Sequence, residues 1–324
     1  MSVLVFTENW DGKFKKLSFE LVSYGAGLAK MLGTTVTAIS IGKVADEELN
    51  KLGTYGASKI LKVEDDRLNQ LVNSAYTTAI AQAAEKENAN VIVLSNNFTG
   101  KALAPRIAVK LKAGLVAGAA ALPSTLSPFV VRKKAFNGKA YANVKINSEK
   151  KVLSLSQNSF GIAETPCTMQ VESFVPEFSD NHFGMEIKNT NKVTGKVLLT
   201  DAEIVVSGGR GMKGPENWGP IEELAGLLGG ATACTRPVSD EGWRSHEEHT
   251  GQTGKIIAPN LYIAAGISGA IQHIAGISSS KCIVAINKDK EAPVFESADY
   301  GVIGDVQAVL PELVKAVKAF KSEN

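Results

Sequence analysis

Apolar positions along the chain follow two alternating rhythms, and their succession predicts the architecture. Val3 to Phe6 is a continuous apolar run of strand length. Phe14 to Leu32 carries Leu17, Phe19, Leu21, Leu28 and Met31 at helical spacing, and Gly33 follows where a C-cap belongs. Thr35 to Ile41 is rich in β-branched residues, as a strand requires. Ile60 to Val63 is a short strand, Leu68 to Glu85 an alanine-rich helix, and Val91 to Leu94 a buried strand. A helix over Lys101 to Leu111 leads into a further strand over Gly114 to Gly118. Strand alternating with helix predicts a parallel sheet covered on both faces.

From Phe129 the texture changes. Phe129–Arg132, Tyr141–Ile146, Val152–Leu155 and Met169–Phe174 are short and separated by turn residues, which predicts an antiparallel extension of the first sheet. Val175 to Thr194 is poor in large apolar residues and rich in Pro, Asp, Asn and Glu, so a linker is expected there and a domain boundary near residue 190. Beyond it a second α/β pattern begins. Strands are expected at Ala202–Val206, Ala231–Thr235, Leu261–Ala265, Cys282–Ile286, Pro293–Phe295 and Val302–Ile303, and helices at Trp218–Leu228 and from Ala270. A last helix runs to Lys321, with Pro311 expected in its first turn. The fold class is therefore α/β in two domains. Residues 1–190 form a Rossmann-like parallel sheet with an antiparallel extension, and residues 191–324 a doubly wound domain.

With 324 residues, both domains can bury substantial cores. Hydrophobic residues make up 44%, charged residues 21%, and the net charge is +2, without the basic excess of a nucleic-acid binder. No apolar run approaches the ~18–20 residues of a membrane span. The N-terminus enters a strand directly and lacks the features of a targeting signal, so a cytoplasmic protein is expected rather than an organelle precursor. Cys167, Cys234 and Cys282 are widely separated and odd in number, giving neither a metal-ligand pair nor a disulfide framework. They are expected to be buried or half-buried, in a reducing compartment.

The chemistry concentrates between Thr250 and Asp289. Strand Leu261–Ala265, the turn bracketed by Gly266 and Gly269, a helix opening at Ala270 and strand Cys282–Ile286 make a βαβ unit. Its helix N-terminus offers free N–H groups to an anion. Two glycines after a strand also suit a plain tight corner. The longer string L-Y-I-A-A-G-I-S-G-A-I-Q-H-I-A-G, followed by V-A-I-N-K-D and A-P-V-F, is more specific. It resembles the FAD-binding signature of electron-transfer flavoprotein alpha subunits. The resemblance is strong from Lys196 onward; over the first 190 residues it rests on the order of elements.

That resemblance implies FAD as cofactor. Arg210, in the glycine corner S-G-G-R-G, would bridge the pyrophosphate. Thr235 stands where the family has a phosphate-binding serine, and Arg236 where an arginine lies near the flavin ring. In Gly251-Gln252-Thr253, the threonine matches the donor to the flavin N5/O4 edge. Ser268, Gly269, Ala270, Ile271 and Gln272 would lie along the ribityl-pyrophosphate, and Asn287 and Asp305 would serve the adenosine half. His273 matches a histidine facing the flavin O2 side. A donor there favours a reduced, anionic flavin by roughly 1.5–3 kcal/mol, which is about 60–130 mV for one electron. Such a shift stabilises a semiquinone. By itself, a lone histidine on an apolar helix is more often a satisfied core residue.

The partners implied are an electron-transfer flavoprotein beta subunit carrying AMP or a second FAD, flavoprotein dehydrogenases such as those of acyl-CoA oxidation, and a quinone oxidoreductase. Two other functions stay open. One is a subunit of a flavin-based electron-bifurcating complex; the other is a non-redox adenine-nucleotide-binding module. His246-Glu247-Glu248-His249 has i, i+3 histidines in a loop and lacks the zinc-protease spacing. No histidine–acid pair stands ready to activate Ser207, Ser268 or Thr253 as a nucleophile. Electron transfer, with no catalytic residue and no metal, is the expectation.

Overall fold

In the computed structural model, residues 2–138, 140–185, 187–190 and 197–323 are described. The chain divides into two compact units, residues 1–190 and 191–324. The linker expected over Val175 to Thr194 falls partly on residues 186 and 191–194, which lie outside the described residues.

The first unit is built on one large sheet. Its strands lie side by side in the order Ala140–Ile146, Phe129–Ala135, Gly114–Ala119, Lys151–Leu155, Val91–Ser95, Ser2–Thr7, Thr35–Ile41, Ala57–Val63, Gln170–Ser173. Every pairing from Gly114–Ala119 across to Gln170–Ser173 is parallel. The strand period of two explains why Ser2–Thr7 is buried throughout. Val3 and Val5 join a core with Leu21, Val22 and Leu28 of helix Lys16–Leu32. Leu4 and Phe6 join the opposite core with Ile80 and Leu103, from helices Asn73–Lys86 and Phe98–Leu111.

The antiparallel extension is smaller than the turn pattern predicts. Among the described residues of this sheet, antiparallel pairing is confined to Phe129–Ala135, which pairs with Ala140–Ile146, with the short strand Thr125–Leu126 and, at Ala119 opposite Lys133, with Gly114–Ala119. Lys151–Leu155 instead runs parallel in the sheet interior, between Gly114–Ala119 and Val91–Ser95. Its last four residues are all buried, which only a doubly covered position provides. Gln170–Ser173 runs parallel at the far edge. Four-residue strands carry too short a pattern to show their direction.

One buried carboxylate ties this unit together. Glu20 is 4% exposed on the inner face of its helix. Its Oε1 accepts the backbone N–H groups of Phe160 at 2.9 Å and Gly161 at 3.0 Å, and its Oε2 accepts that of Asn158 at 2.8 Å. A negative side chain thus satisfies a loop that has no ladder of its own.

The second unit has five parallel strands in the order Ala231–Cys234, Ile204–Gly208, Leu261–Ala265, Cys282–Asn287, Tyr300–Ile303. Numbered along the chain this order is 2-1-3-4-5, so strand order reverses between Ile204–Gly208 and Leu261–Ala265. Tyr262 and Ala264 face Ile274 and Ile277 of helix Ile271–Ile277. Val206 and Ile263 face Trp218, Ile221, Leu224 and Leu310, on the side of helices Gly219–Leu228 and Val306–Glu323.

Two local expectations change. Pro293–Ser297 is a 3-10 turn rather than a strand, with Pro at its first positions and the Val294 N–H given to Ser268 O at 3.0 Å. The last helix starts at Val306 because Asp305 caps it, accepting the Gln307 N–H at 3.0 Å, so Pro311 stands inside the helix.

Removing the Glu20 carboxylate takes the partner from three half-buried N–H groups at once. Glu20→Ala is expected to destabilise the protein by at least about 3 kcal/mol, at roughly 1–3 kcal/mol per orphaned group. Urea unfolding measures this, and a loss below about 1 kcal/mol would show that the loop finds other partners.

Candidate functional site

Open parallel sheets bind ligands beyond the carboxyl ends of their strands, at the point where strand order reverses. The second unit has a cleft of about 600 Å³ there. Its walls come from Gly209, Arg210, Gly211 and Lys213 after the first strand, Thr235–Pro237 after the second, the residues from Gly266 to His273 other than Gly269 and Ile271 after the third, Asn287–Asp289 after the fourth, and Asp305 after the fifth. The loop from His249 to Thr253 closes one side.

Glycines form the floor. Gly209 N–H donates to Ala265 O at 2.9 Å and Gly211 N–H to Gly266 O at 3.0 Å, so the two strand ends continue to pair beyond the sheet. A Cβ on Gly209 would stand 2.3 Å from Gly266 O, and one on Gly211 2.6 Å from Gly266 Cα. Gly266 turns at φ +62, in the left-handed region that glycine tolerates.

The cleft collects Arg210, Thr235, Arg236, Gly251, Gln252, Thr253, Ser268, Ala270, Gln272, His273, Asn287 and Asp305. Gly269 and Ile271, which the sequence also pointed to, do not line it. Gly269 packs against the neighbouring turn, where an added Cβ would lie 2.3 Å from Val294 N. Ile271 is 54% exposed at the start of its helix.

The side chains divide into engaged and free. Among the described residues, Arg210, Gln252, Thr253, Ser268 and Gln272 make no side-chain hydrogen bond to the protein. Arg236 holds Asp240 at 3.2 Å. Asn287 donates to Ile267 O at 2.9 Å and accepts the Asp289 N–H at 3.0 Å, which fixes the wall on both sides of it. Asp305 lies below the usual carboxylate range, because the Gln307 N–H and then the Lys213 ammonium at 3.0 Å stabilise its charge.

His273 is buried, with both ring nitrogens engaged. Its Nδ1 lies 3.0 Å from Thr250 O and its Nε2 2.8 Å from the Tyr262 hydroxyl. A carbonyl only accepts, so Nδ1 carries the proton and the Tyr262 O–H donates to Nε2. The ring N–H that the sequence assigned to a ligand is therefore held by Thr250. Burial drives the proton affinity of this ring down to about 4; the Thr250 bond opposes that and His249 adds to it.

Sequence reasoning passed over His249, Lys213 and Lys288, all of which face the cleft. The two lysines follow the first and fourth strands, so the rule of strand ends would have found them. His249 sat in a motif dismissed for its spacing. Its loop is pinned to helix Gly219–Leu228 by Arg244, which bonds Glu248 at 2.8 and 2.9 Å and Glu222 at 2.6 Å. Of the cysteines, Cys234 is buried and its thiol pushed up to about 12 by that burial, while Cys167 is exposed.

Comparison with known proteins agrees with this geometry. The model of the electron transfer flavoprotein domain matches residues 3–178, and that of the electron transfer flavoprotein FAD-binding domain matches residues 198–278. The electron transfer flavoprotein subunit alpha of Syntrophomonas wolfei is 37% identical over 97% of this chain and 98% of its own length. That of Bacillus subtilis is 34% identical over 98% and 97%. The acryloyl-CoA reductase electron transfer subunit beta of Anaerotignum propionicum is 32% identical over 99% and 96%. The chain belongs to the electron-transfer flavoprotein alpha subunits.

Its cofactor is FAD, and the donor set of the cleft fits that molecule. Arg210, Lys213, Arg236 and Lys288 outnumber Asp289 and Asp305 on the walls, which suits a pyrophosphate dianion. The unpartnered hydroxyls and amides suit a ligand edged with carbonyl and ring-nitrogen acceptors. No helix among the described residues is long and apolar enough to cross a membrane.

The buried His273 has a consequence for the stability of this alpha subunit. Its affinity for a proton is lower in the folded chain than the ordinary value of about 6.5, so the unfolded state binds more protons between pH 6.5 and 4. Stability held by the neutral ring above pH 6.5 is lost as pH falls through about 4, on the order of 3 kcal/mol in all. Urea unfolding between pH 4 and 7 should show this slope, reduced in His273→Gln. Equal slopes in the two proteins would contradict the burial of the neutral ring.

Proposed function

We propose that this chain is the FAD-bearing alpha subunit of an electron-transfer flavoprotein heterodimer. It accepts electrons from flavoprotein dehydrogenases, such as those acting on acyl-CoA, and passes them to a quinone oxidoreductase or another acceptor in the cytoplasm. The observation that carries this reading is the switch-point cleft with its set of unpartnered donors. Bound FAD supplies the redox chemistry, taking up and releasing electrons one at a time.

The protein's part is binding, orientation and electrostatics. Arg210 is free of protein carboxylates and stands over the glycine floor, so it serves the pyrophosphate. Ser268 and Gln272, at the turn and first helical residues after the third strand, serve the ribityl and phosphate groups with the helix N–H groups beside them. Thr253 and Gln252 offer donors from the opposite loop to the flavin ring edge. Arg236 adds positive charge near it while Asp240 holds the guanidinium in place. Thr235 lines the phosphate side, and Asn287 and Asp305 shape the adenosine end through the backbone they hold. Gly251 lets the loop approach closely, with φ +152. Residues 1–190 provide the interface to a beta subunit.

The test is to purify the chain with its beta partner, count flavin and reduce stepwise. One FAD per heterodimer and a one-electron stage in the spectra are expected. Arg210→Ala should weaken FAD retention at least about tenfold, the loss of one charge-assisted contact. Two FADs per heterodimer would point to a bifurcating complex. A folded heterodimer that stays colourless with added FAD would leave a plain nucleotide-binding module.

A further inference from the structure

The cleft holds two histidines, and their surroundings differ. His273 is closed off by Thr250 O and the Tyr262 hydroxyl. His249 is 9% exposed, lines the cleft, and among the described residues has no hydrogen bond to either ring nitrogen. A nine-tenths buried imidazole without a protein partner, on the wall of a ligand cleft, marks a place where a ligand supplies the partner.

The loop is shaped around this ring. Gly254 lies so close that an added Cβ would stand 2.8 Å from His249 Cγ and 2.5 Å from His249 O. An added Cβ on Gly251 would lie 3.6 Å from His249 Nε2. Gly251 is itself wall, next to Gln252 and Thr253. The imidazole edge thus sits beside the residues that serve the flavin ring in the functional reading above.

We infer that His249, rather than His273, is the proton-exchanging group of the cleft, binding one proton from solvent when the bound flavin gains one electron. The inference rests on the FAD reading. No bond to the flavin forms or breaks. One electron arrives from the dehydrogenase, one proton from solvent joins a free ring nitrogen of His249, and both leave on reoxidation. The charge of the cleft is then conserved through each transfer, which lowers the cost of placing an electron in a site of limited hydration.

The charged and titratable groups around His249 fit this role. Asp240 and Arg236 act on it from the short helix Arg236–Asp240 and His246 from the adjoining 3-10 turn, while His249 itself acts on His273 of helix Ile271–Ile277. Burial is the largest effect and holds the ring below the ordinary histidine range; Asp240 opposes this, while Arg236 and His246 add to it. The ring is therefore neutral at neutral pH. A negative charge arriving in the cleft raises its proton affinity. Between the two affinities the reduced protein carries one more proton than the oxidised protein, so the potential falls as pH rises.

The experiment uses the FAD-loaded heterodimer, with flavin content measured first. In the wild type, the first one-electron potential should fall by up to about 59 mV per tenfold drop in proton concentration within that window. In His249→Gln, whose amide cannot take the proton, the potential should lose this slope; in His273→Gln the slope should remain. Histidine NMR of the wild type, which needs no variant, should show the His249 titration moving to higher pH on one-electron reduction. A flat wild-type potential, a slope that survives in His249→Gln, or an unmoved titration would each overturn the inference. A heterodimer without flavin would instead remove the functional reading beneath it.

Discussion

The second unit depends on one close approach between backbones. Gly209 and Gly211, at the end of the first strand, meet Gly266, at the end of the third, at distances no side chain permits. This contact prolongs the pairing of Ile204–Gly208 with Leu261–Ala265 by two hydrogen bonds. It also keeps the floor of the cleft free of side chains, which leaves room for a ligand to approach the N–H groups after the third strand. Arg210 stands between the two glycines, and Ser268 follows the turn at Gly266. The donors are therefore set out by the same contact that closes the sheet.

Around this floor the cleft separates polar groups by their duties. Asn287, Asp305 and Arg236 are engaged with the protein and hold the walls. Arg210, Gln252, Thr253, Ser268 and Gln272 are left for a ligand. The histidines follow the same division. His273 locks the Thr250 carbonyl and the Tyr262 hydroxyl into the core, whereas His249 lines the cleft and, among the described residues, has neither ring nitrogen bonded. Preorganised donors of this kind are not reorganised when charge arrives, which is the main service a protein renders to a redox cofactor.

Much of this was legible in the chain. The βαβ unit around Leu261–Ala265 is visible because an apolar run, a glycine turn and a helix opening follow each other within a few residues. The alternation of Val3 to Phe6 with its neighbours shows the parallel sheet for the same reason. Less visible was the place of Lys151–Leu155, whose interior position is decided by contacts with Gly114–Ala119 and Val91–Ser95, remote in sequence. The direction of His273 was hidden too. Family likeness places the residue at the cleft, but its proton is directed by Thr250, which lies 23 positions away. His249 is hidden in the sequence because H-E-E-H suggests a metal site, and nothing in that spacing shows that its loop reaches the cleft. Gly269 and Ile271 belong to the string that carries the resemblance, and the fold packs one against Val294 and leaves the other half exposed to solvent.

The central claim is that FAD occupies the cleft at the strand switch point. Backbone hydrogen exchange on the heterodimer, with flavin removed and then added back, tests it most directly. With FAD about ten times above its dissociation constant, the amides of residues 209–213 and 266–273 should exchange about tenfold more slowly. Those of residues 95–100, in the other unit, should not change. Protection that appears elsewhere and leaves both glycine turns untouched would contradict the account.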